Sequence, residues 1–146
     1  MGKVFEIAIS EKSKGEMKSM DCVEVITGKG LVGDRHFKEN NENRSQITLI
    51  EIENINYYNK ISRSKIEAIK FRRNIITEGI KLNDLVGSKF FIGKVKFKAH
   101  DLCRPCKYLQ DSLKQKNLIK ELLRKGGLRC EILTNGKISV GDEIKL

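Results

Sequence analysis

Hydrophobic and polar residues alternate along several short segments, which is the pattern of β-strands with one buried face. The alternation predicts an opening strand over Val4–Ser10, a second strand over Asp21–Thr27 and a third over Ser45–Ile50. Glycines separate these segments from one another. Because many short strands divided by glycines are typical of closed sheets, the pattern favours a mostly β fold built around a barrel.

Two pairs of segments predict β-hairpins. Lys89–Ile92 and Lys94–Ala99 lie on either side of Gly93, and lysines alternate with apolar residues in the second segment, as on a strand with one side in water. Leu128–Leu133 and Ile138–Leu146 are separated by the sequence Thr-Asn-Gly-Lys. An Asn-Gly pair between alternating segments is the strongest short-range hairpin signal, so we expect both pairs to be antiparallel neighbours.

Helical spacing is present in two regions. Ile52, Ile55 and either Tyr58 or Asn59 recur every three to four residues. A longer stripe of leucines, at positions 109, 113, 118, 122 and 123, stops at a Gly-Gly pair as a helix C-terminus does, and a break near Asn117 divides it. These patterns add two or three peripheral helices to the barrel. The length of 146 residues is that of one domain spanning residues 1–146.

Charge indicates the kind of partner. The chain has 29 Lys and Arg against 19 Asp and Glu, a net charge of +10, which suggests an anionic partner. Much of the positive charge is scattered lysine, so solvation of the surface is the competing interpretation. Aromatic residues make up 6% of the chain and Trp is absent, which gives little support to a platform for stacking nucleic-acid bases.

The sequence carries no pattern of membrane insertion or export. No segment approaches the roughly 18 consecutive apolar residues that span a bilayer. The N-terminal segment Met1–Ile7 becomes acidic and alternating too early for a secretory signal. We therefore expect a cytoplasmic protein that makes no membrane contact.

Four cysteines are present, namely Cys22, Cys103, Cys106 and Cys130. In a cytoplasmic protein thiols stay reduced, so a disulfide framework is not expected. Cys22 and Cys130 lie in apolar segments and are expected to be small buried hydrophobic residues. Cys103 and Cys106 form a Cys-x-x-Cys pair, which indicates metal binding, catalysis or redox chemistry. If a helix begins at this pair, its dipole and the adjacent basic residues favour the Cys106 thiolate.

The first polar cluster is a turn within Gly30–His36. Gly33 follows another glycine at close spacing, so the backbone can approach a ligand, and Asp34 and His36 come soon after it. A tight turn whose charged side chains face water is the competing interpretation. The turn therefore indicates a binding site only in combination with other features.

Basic residues form two further clusters. Arg72 and Arg73 precede Asn74 in an otherwise apolar segment, and the planar guanidinium fork suits a phosphate group. The alternative is that one of the two arginines faces water and the other forms a structural ion pair. Farther along, Gly127 and Arg129 combine flexible backbone amides with another cation. These residues are candidates for neutralising a phosphate.

The order and spacing of these clusters resemble the MOSC family, the domain found at the C-terminus of molybdenum-cofactor sulfurases and also as small stand-alone proteins. The resemblance runs from about Gly30 to the C-terminus. In order it takes in the Gly-Asp-Arg-His turn, Gln46–Ile50, Arg73–Ile75, Leu85–Gly87, Pro105-Cys106, Gly126–Arg129 and the closing hairpin from Gly136 to Ile144. It implies a MOSC-type β-barrel that holds a site for metal and sulfur chemistry.

The resemblance assigns roles to the candidate residues. Cys106 matches the family's characteristic cysteine, which ligates molybdenum in cofactor-binding members and is proposed to carry sulfur in others. Either Arg72 or Arg73, together with Asn74, matches the Arg/Asn segment that helps to hold the cofactor, and the turn at Gly33–His36 matches the turn near the site. Cys103 lies outside the family pattern. Its role as a second catalytic thiol, in a resolving step or in a disulfide with Cys106, is open.

The implied function is binding of a molybdopterin-type cofactor, transport of sulfur for maturation of metal–sulfur cofactors, or both. A small molybdenum-dependent reductase of N-hydroxylated compounds is the alternative, so enzymatic activity is open. The chain lacks the pyridoxal-phosphate-dependent domain of the long sulfurases, so no pyridoxal phosphate is expected in it. A separate cysteine desulfurase or cofactor-biosynthesis protein would donate the sulfur, and a molybdenum-cofactor protein would accept it.

Two alternatives belong to other classes of protein. His100, Cys103 and Cys106, joined through space by His36, would supply four tetrahedral zinc ligands, although their spacing differs from that of paired zinc knuckles. A nucleic-acid-binding module would use the basic charge, which is the only feature in its favour.

Overall fold

The structure is a computed structural model that describes residues 2–104 and 106–146. Over these residues the chain forms eleven strands and three α-helices. The strands are β1 (Gly2–Ile9), β2 (Lys18–Met20), β3 (Cys22–Ile26), β4 (Gly30–Leu31), β5 (Ile47–Glu51), β6 (Ile75–Glu78), β7 (Lys89–Ile92), β8 (Val95–Leu102), β9 (Leu128–Ile132), β10 (Gly136–Ser139) and β11 (Glu143–Lys145). The helices are α1 (Ile52–Ser62), α2 (Lys107–Ser112) and α3 (Leu118–Glu121).

Seven of the described strands close into a barrel. Its order is β1, β11, β7, β8, β9, β5 and β6, and β1 closes the ring because it pairs with both β6 and β11. β5 and β6 are parallel and are joined by a crossover that contains α1, whereas the other pairs of the ring are antiparallel. β2 extends the sheet beside β1, and β10, β3 and β4 form a second sheet. The mostly β barrel with peripheral helices that the sequence predicts is confirmed.

One face of each strand fills the barrel interior. In β8, Val95, Phe97 and Ala99 are buried, whereas the lysines between them stay half-exposed. Phe97 stacks on Phe90 of β7 with ring centroids 5.5 Å apart. Full burial of a side chain of this size contributes about 1.5–3 kcal/mol, so the interior is a main source of stability. The predicted hairpin around Gly93 is confirmed.

A second apolar cluster lies between the helices and the outer face of β5 and β6. Tyr58 of α1 meets the Phe71 ring edge-on, with centroids 6.2 Å apart. Leu109 of α2 and Leu118 of α3 pack into the same cluster. The two helices are separate, so the break predicted near Asn117 is confirmed. In the described part of the chain, no helix is long and apolar enough to cross a membrane.

The Asn-Gly hairpin predicted between Leu128–Leu133 and Ile138–Leu146 is wrong. β9 pairs with β5 and β8, whereas β10 pairs with β3 in the second sheet. Neither Asn135 nor Gly136 has the positive φ that the two-residue turn requires. Asn135 Oδ1 instead accepts a hydrogen bond from the Thr27 N–H at 2.7 Å, which joins this turn to a distant loop. The final segment also divides, because β10 and β11 belong to different sheets.

Candidate anion-binding site

Four guanidinium groups and an imidazole converge on one cleft of about 320 Å³. The lining of this cleft is completed by Ser45, Thr48 and Cys103. We refer to this site as the cationic cleft, and its basic side chains are His36, Arg44, Arg73, Arg104 and Arg129. Guanidinium groups stay charged at physiological pH and present a planar fork that matches a phosphate. A cleft of this size and charge can bind a small anionic ligand.

Arg73 lines one wall of the cationic cleft, and Asn74, which lies outside the lining, holds that wall in place. Asn74 is buried, and its Oδ1 accepts hydrogen bonds from the Thr48 N–H at 3.1 Å and the Thr48 hydroxyl at 3.2 Å. Its Nδ2 donates to the Ala8 carbonyl at 3.3 Å, so Asn74 holds the start of β6 against β1 and β5. Arg73 lines the cleft, and its Nε donates to the Gly126 carbonyl at 2.8 Å. Asn74 therefore positions the wall, and Arg73 faces the ligand space.

Arg72, the other arginine of this motif, is not part of the cleft lining. Its backbone is in the left-handed region, with a φ of 63°. Its Nη1 donates to the Gly15 carbonyl at 2.5 Å, and its guanidinium carbon lies 6.0 Å from the centroid of the Tyr108 ring. Arg72 therefore fastens a surface loop, and the two adjacent arginines have different roles.

The glycine turn positions His36 in the cleft. Gly33 has a φ of 89°, a conformation that favours glycine. Asp34 is buried, and its carboxylate accepts hydrogen bonds from the Ser10 N–H at 3.0 Å, the Arg35 guanidinium at 3.1 Å and the His36 N–H at 3.3 Å. Burial, followed by the charge of Arg35, lowers the pKa of His36 below its ordinary value. The imidazole is therefore neutral at neutral pH.

Gly127 allows two backbone segments to cross at close range. Its φ is 108°, and a Cβ at this position would overlap the Leu49 carbonyl oxygen. Its own carbonyl accepts the Cys103 N–H at 2.7 Å. Two residues farther on, Arg129 lines the cationic cleft, and its Nε donates to the Arg44 carbonyl at 3.1 Å. Gly127 thus has a structural role, and Arg129 faces the ligand space.

The two neighbouring thiols have different surroundings. Cys103 is buried and lines the cationic cleft. Burial raises the pKa of its thiol, and the charges of Arg73 and Arg129 act in the opposite direction. Cys106 is exposed at the N-cap of α2, where its Sγ accepts the Leu109 N–H at 3.3 Å. Cys106 therefore lies at a helix start, as the sequence predicts, but outside the cleft lining.

The remaining cysteines lie outside the cleft lining. Cys130 is fully buried in the barrel, and this burial raises the pKa of its thiol well above the ordinary value. The prediction that Cys130 is a small core residue is confirmed. Cys22, at the start of β3, is half-buried and not fully buried as predicted.

A second cleft, of about 510 Å³, adjoins the cationic cleft and shares Cys103 and Arg104 with it. We refer to it as the neighbouring cleft, and its other side chains are Asp101, Leu102, Ile119, Leu123 and Arg124. Three of its side chains, Leu102, Ile119 and Leu123, are large and apolar, whereas the lining of the cationic cleft includes no such side chain. A ligand that occupies both clefts would contact the lining that they share, Cys103 and Arg104.

Three residues of the two clefts carry no signal in the sequence beyond their type. Arg44 lies in a short 3-10 turn of a polar loop without a motif. Thr48 belongs to an ordinary alternating strand, β5. Asp101 continues the alternation of β8, which by itself would direct its side chain into the barrel. Only long-range pairing brings these residues to the site.

The zinc alternative gains no support from the structure. The described residues contain no group of three or more His, Cys, Asp or Glu side chains that could hold a metal ion. His100, one of the proposed ligands, instead pairs through Nε2 with Glu131 Oε1 at 2.8 Å.

Comparisons with known proteins identify the kind of domain. The family model described as the MOSC domain matches residues 33–145, which is most of the chain. A search of curated protein sequences finds no match.

Solved structures with this fold include three bacterial proteins. The YUAD protein from Bacillus subtilis has a TM-score of 0.81 and 23% identity, over 99% of this chain and 94% of that chain. YiiM from Geobacillus stearothermophilus has a TM-score of 0.78 and 16% identity, over 100% of this chain and 75% of that chain. YiiM from Escherichia coli has a TM-score of 0.75 and 17% identity, over 99% of this chain and 69% of that chain. At these identities the likeness concerns the fold.

Proposed function

This chain belongs to the MOSC domain family, and from that membership we propose that it binds a molybdopterin-type cofactor in the cationic cleft and carries sulfur on the exposed thiol of Cys106. The family is associated with molybdenum-cofactor binding and sulfur processing. The observation that carries the proposal is the convergence of four guanidinium groups and a buried thiol on one cleft of about 320 Å³.

The donor set of the cleft suits such a cofactor. A molybdopterin has a phosphate, which guanidinium forks bind through paired charge-assisted hydrogen bonds. Its metal is soft enough to accept a thiolate. Arg73 and Arg129 would hold the phosphate from the cleft wall, while Asn74 and Asp34 keep the surrounding backbone in place. When bound, the cofactor would supply two-electron redox chemistry at its metal.

The two thiols take different parts in the proposal. Cys106 matches the family cysteine, and it is exposed, which suits exchange with a donor protein such as a cysteine desulfurase. In that exchange the Cys106 thiolate attacks the outer sulfur of a persulfide on the donor. A new S–S bond forms to Cys106, the bond to the donor's cysteine breaks, and that cysteine leaves as a thiolate. Cys103 is the thiol that faces the cleft.

The decisive experiment is metal analysis combined with pterin fluorescence on protein purified anaerobically from a host supplied with molybdate. The wild type is expected to retain pterin and molybdenum, and the double variant Arg73→Gln/Arg129→Gln to lose them. The matched control is Lys3→Gln/Lys137→Gln, which removes the same charge from two exposed positions outside the cleft. Equal retention in both double variants would contradict the assignment of the cleft.

Sulfur transfer has its own test. After incubation with a persulfide-loaded cysteine desulfurase, alkylation and mass spectrometry are expected to find the added sulfur at Cys106. Cys106→Ser should abolish loading while the fold is retained, and the control Cys22→Ser, which alters a half-buried thiol on β3, should leave loading unchanged. A wild-type protein with neither cofactor nor persulfide would refute the proposed function.

A further inference from the structure

Asp101 owes its position to an irregularity in β8. Val95, Phe97 and Ala99 point into the barrel, so strict alternation would also bury Asp101 there. The register with β9 shifts between Ala99 and Asp101, and Asp101 is paired with the partly exposed Arg129. A bulge of this kind redirects a side chain, and such bulges are frequent beside functional sites. Here it brings a carboxylate to the border between the two clefts.

The Asp101 carboxylate lies among arginines without a hydrogen bond from them. Its Oδ1 is 3.8 Å from Arg129 Nε and its Oδ2 is 3.9 Å from Arg44 Nη1, both beyond hydrogen-bond distance. Arg129 Nε instead donates to the Arg44 carbonyl. Within residues 2–104 and 106–146, Asp101 Oδ1 is a buried side-chain oxygen that has no hydrogen-bond partner. The two arginines face Asp101 as ion pairs without a hydrogen bond, so Oδ1 keeps an open acceptor position that a donor outside the chain can fill.

The surroundings of Asp101 indicate what kind of molecule brings that donor. Leu102, Ile119 and Leu123 give the neighbouring cleft an apolar lining, and Leu123 is 63% exposed although it is a large hydrophobic residue. A planar heterocycle has apolar faces that pack on such side chains and a polar edge that carries N–H donors. On the other side of Cys103, the cationic cleft suits an anionic group.

We propose that Asp101 recognises a phosphorylated heterocycle by accepting an N–H hydrogen bond from its ring. In this arrangement the ring lies in the neighbouring cleft and the phosphate lies in the cationic cleft. This inference rests on the proposed function, since a pterin cofactor has both parts, and it adds the residue that distinguishes such a ligand from other phosphates. The terminal torsion of an aspartate is soft, so the carboxylate can turn either oxygen toward the ring. Although Oδ1 itself is buried, the side chain as a whole is 40% exposed, so this rotation brings the oxygen without a hydrogen bond within reach of a ligand.

Binding of two probes by the full-length protein tests the proposal. The probes are neopterin monophosphate, a pterin with N–H donors, and ribose 5-phosphate, which has the same anionic group without the heterocycle. The wild type is expected to bind the pterin phosphate at least tenfold more tightly. Asp101→Leu should remove this preference, while its binding of ribose 5-phosphate is unchanged or tighter because a negative charge near the arginines is gone.

Two further variants separate the acceptor from the charge. Asp101→Asn keeps a carbonyl acceptor without the charge and should retain most of the preference. Asp111→Asn alters an exposed carboxylate on α2 that pairs with Lys107, and it should change neither affinity. Circular dichroism verifies that each variant is folded.

Two results overturn the inference. If Asp101→Leu keeps the preference for the pterin phosphate, the carboxylate does not read the heterocycle. If the same variant weakens the binding of both probes equally, Asp101 only positions the arginines. Failure of the wild type to bind either probe would instead remove the cationic cleft as a phosphate site, and the proposed function would fall with it.

Discussion

The Cys103 N–H donates to the Gly127 carbonyl oxygen at 2.7 Å, so the glycine that lets two backbone segments cross also fixes the backbone of Cys103, a residue of the cationic cleft. Gly127 has no room for a side chain, because a Cβ there would overlap the Leu49 carbonyl oxygen. The start of β9 and the end of β8 are thereby held together where the clefts meet. Stability and the placement of Cys103 are coupled at this point.

Gly127→Ala is therefore expected to lower the free energy of unfolding by about 3 kcal/mol or more, since both the overlap and the positive φ oppose the new side chain. Urea denaturation measures the change. Gly28→Ala is the matched control, because Gly28 also has a positive φ, of 76°, but a Cβ at that position would meet no atom within 4 Å. Its expected cost is about 1 kcal/mol, and equal costs at the two positions would contradict the close crossing.

Asn74 holds three strands together through its buried amide. Replacing it by Ala removes the acceptor for the Thr48 N–H and the donor to the Ala8 carbonyl, and both backbone groups lie in the barrel wall. We expect a loss of about 1–3 kcal/mol in the free energy of unfolding, together with weaker phosphate binding. Asn83→Ala, which removes one exposed bond to the Arg124 carbonyl, should cost less than this and leave phosphate binding unchanged. Both are measured by urea denaturation and calorimetry.

The reactivity of the thiols toward iodoacetamide should follow their exposure. Cys106 is exposed and is expected to react first, Cys103 slowly, and Cys130 only after unfolding. Because burial raises the pKa of the Cys103 thiol, its thiolate is scarce at neutral pH and its alkylation should accelerate as the pH rises toward and beyond 9. Timed alkylation with peptide mapping measures this order. Rapid labelling of Cys103 at pH 7 would contradict its burial.

His36 should make anion binding depend on pH. Its folded pKa is lowered, so it is neutral at pH 7 and gains a positive charge as the pH falls through that pKa. Sulfate, which stays dianionic in this range, is expected to bind more tightly at pH 5 than at pH 7, and His36→Gln should remove most of the increase. Titration calorimetry gives both affinities. His100→Gln is the control, because His100 pairs with Glu131 and lies outside the cleft lining. A wild-type affinity that is the same at pH 7 and pH 5 would contradict this contribution of His36 to anion binding.

The lowered pKa of His36 also has a consequence for stability. A base whose folded pKa is below its unfolded value binds fewer protons in the folded state, so stability decreases as the pH falls below about 6.5, the unfolded pKa. His36→Gln should reduce this acid sensitivity in thermal unfolding between pH 7 and pH 5. Since the ring is more than half exposed, the expected effect is small.

Local patterns predicted much of the fold because they depend on neighbouring residues alone. Alternation identified most of the barrel strands, and leucine spacing identified the helices on either side of Asn117. The Asn-Gly signal failed because the hydrogen-bond partners of β10 lie in β3, about one hundred residues earlier in the chain. The sequence predicted Cys106 at the start of a helix, but its position outside the cleft lining follows from the tertiary structure.

The sequence by itself determined that this chain forms a strand-rich barrel with basic clusters and a Cys-x-x-Cys pair, since periodicity, glycine positions and charge are properties of adjacent residues. Only the tertiary structure decided that Arg73 and not Arg72 lines the cleft, and that Cys103 is the thiol within it. It also decided that Asp101 lies beside Arg129. The physical reason is that strand pairing joins distant residues, and a shift of one residue in register exchanges the buried and exposed faces of a strand.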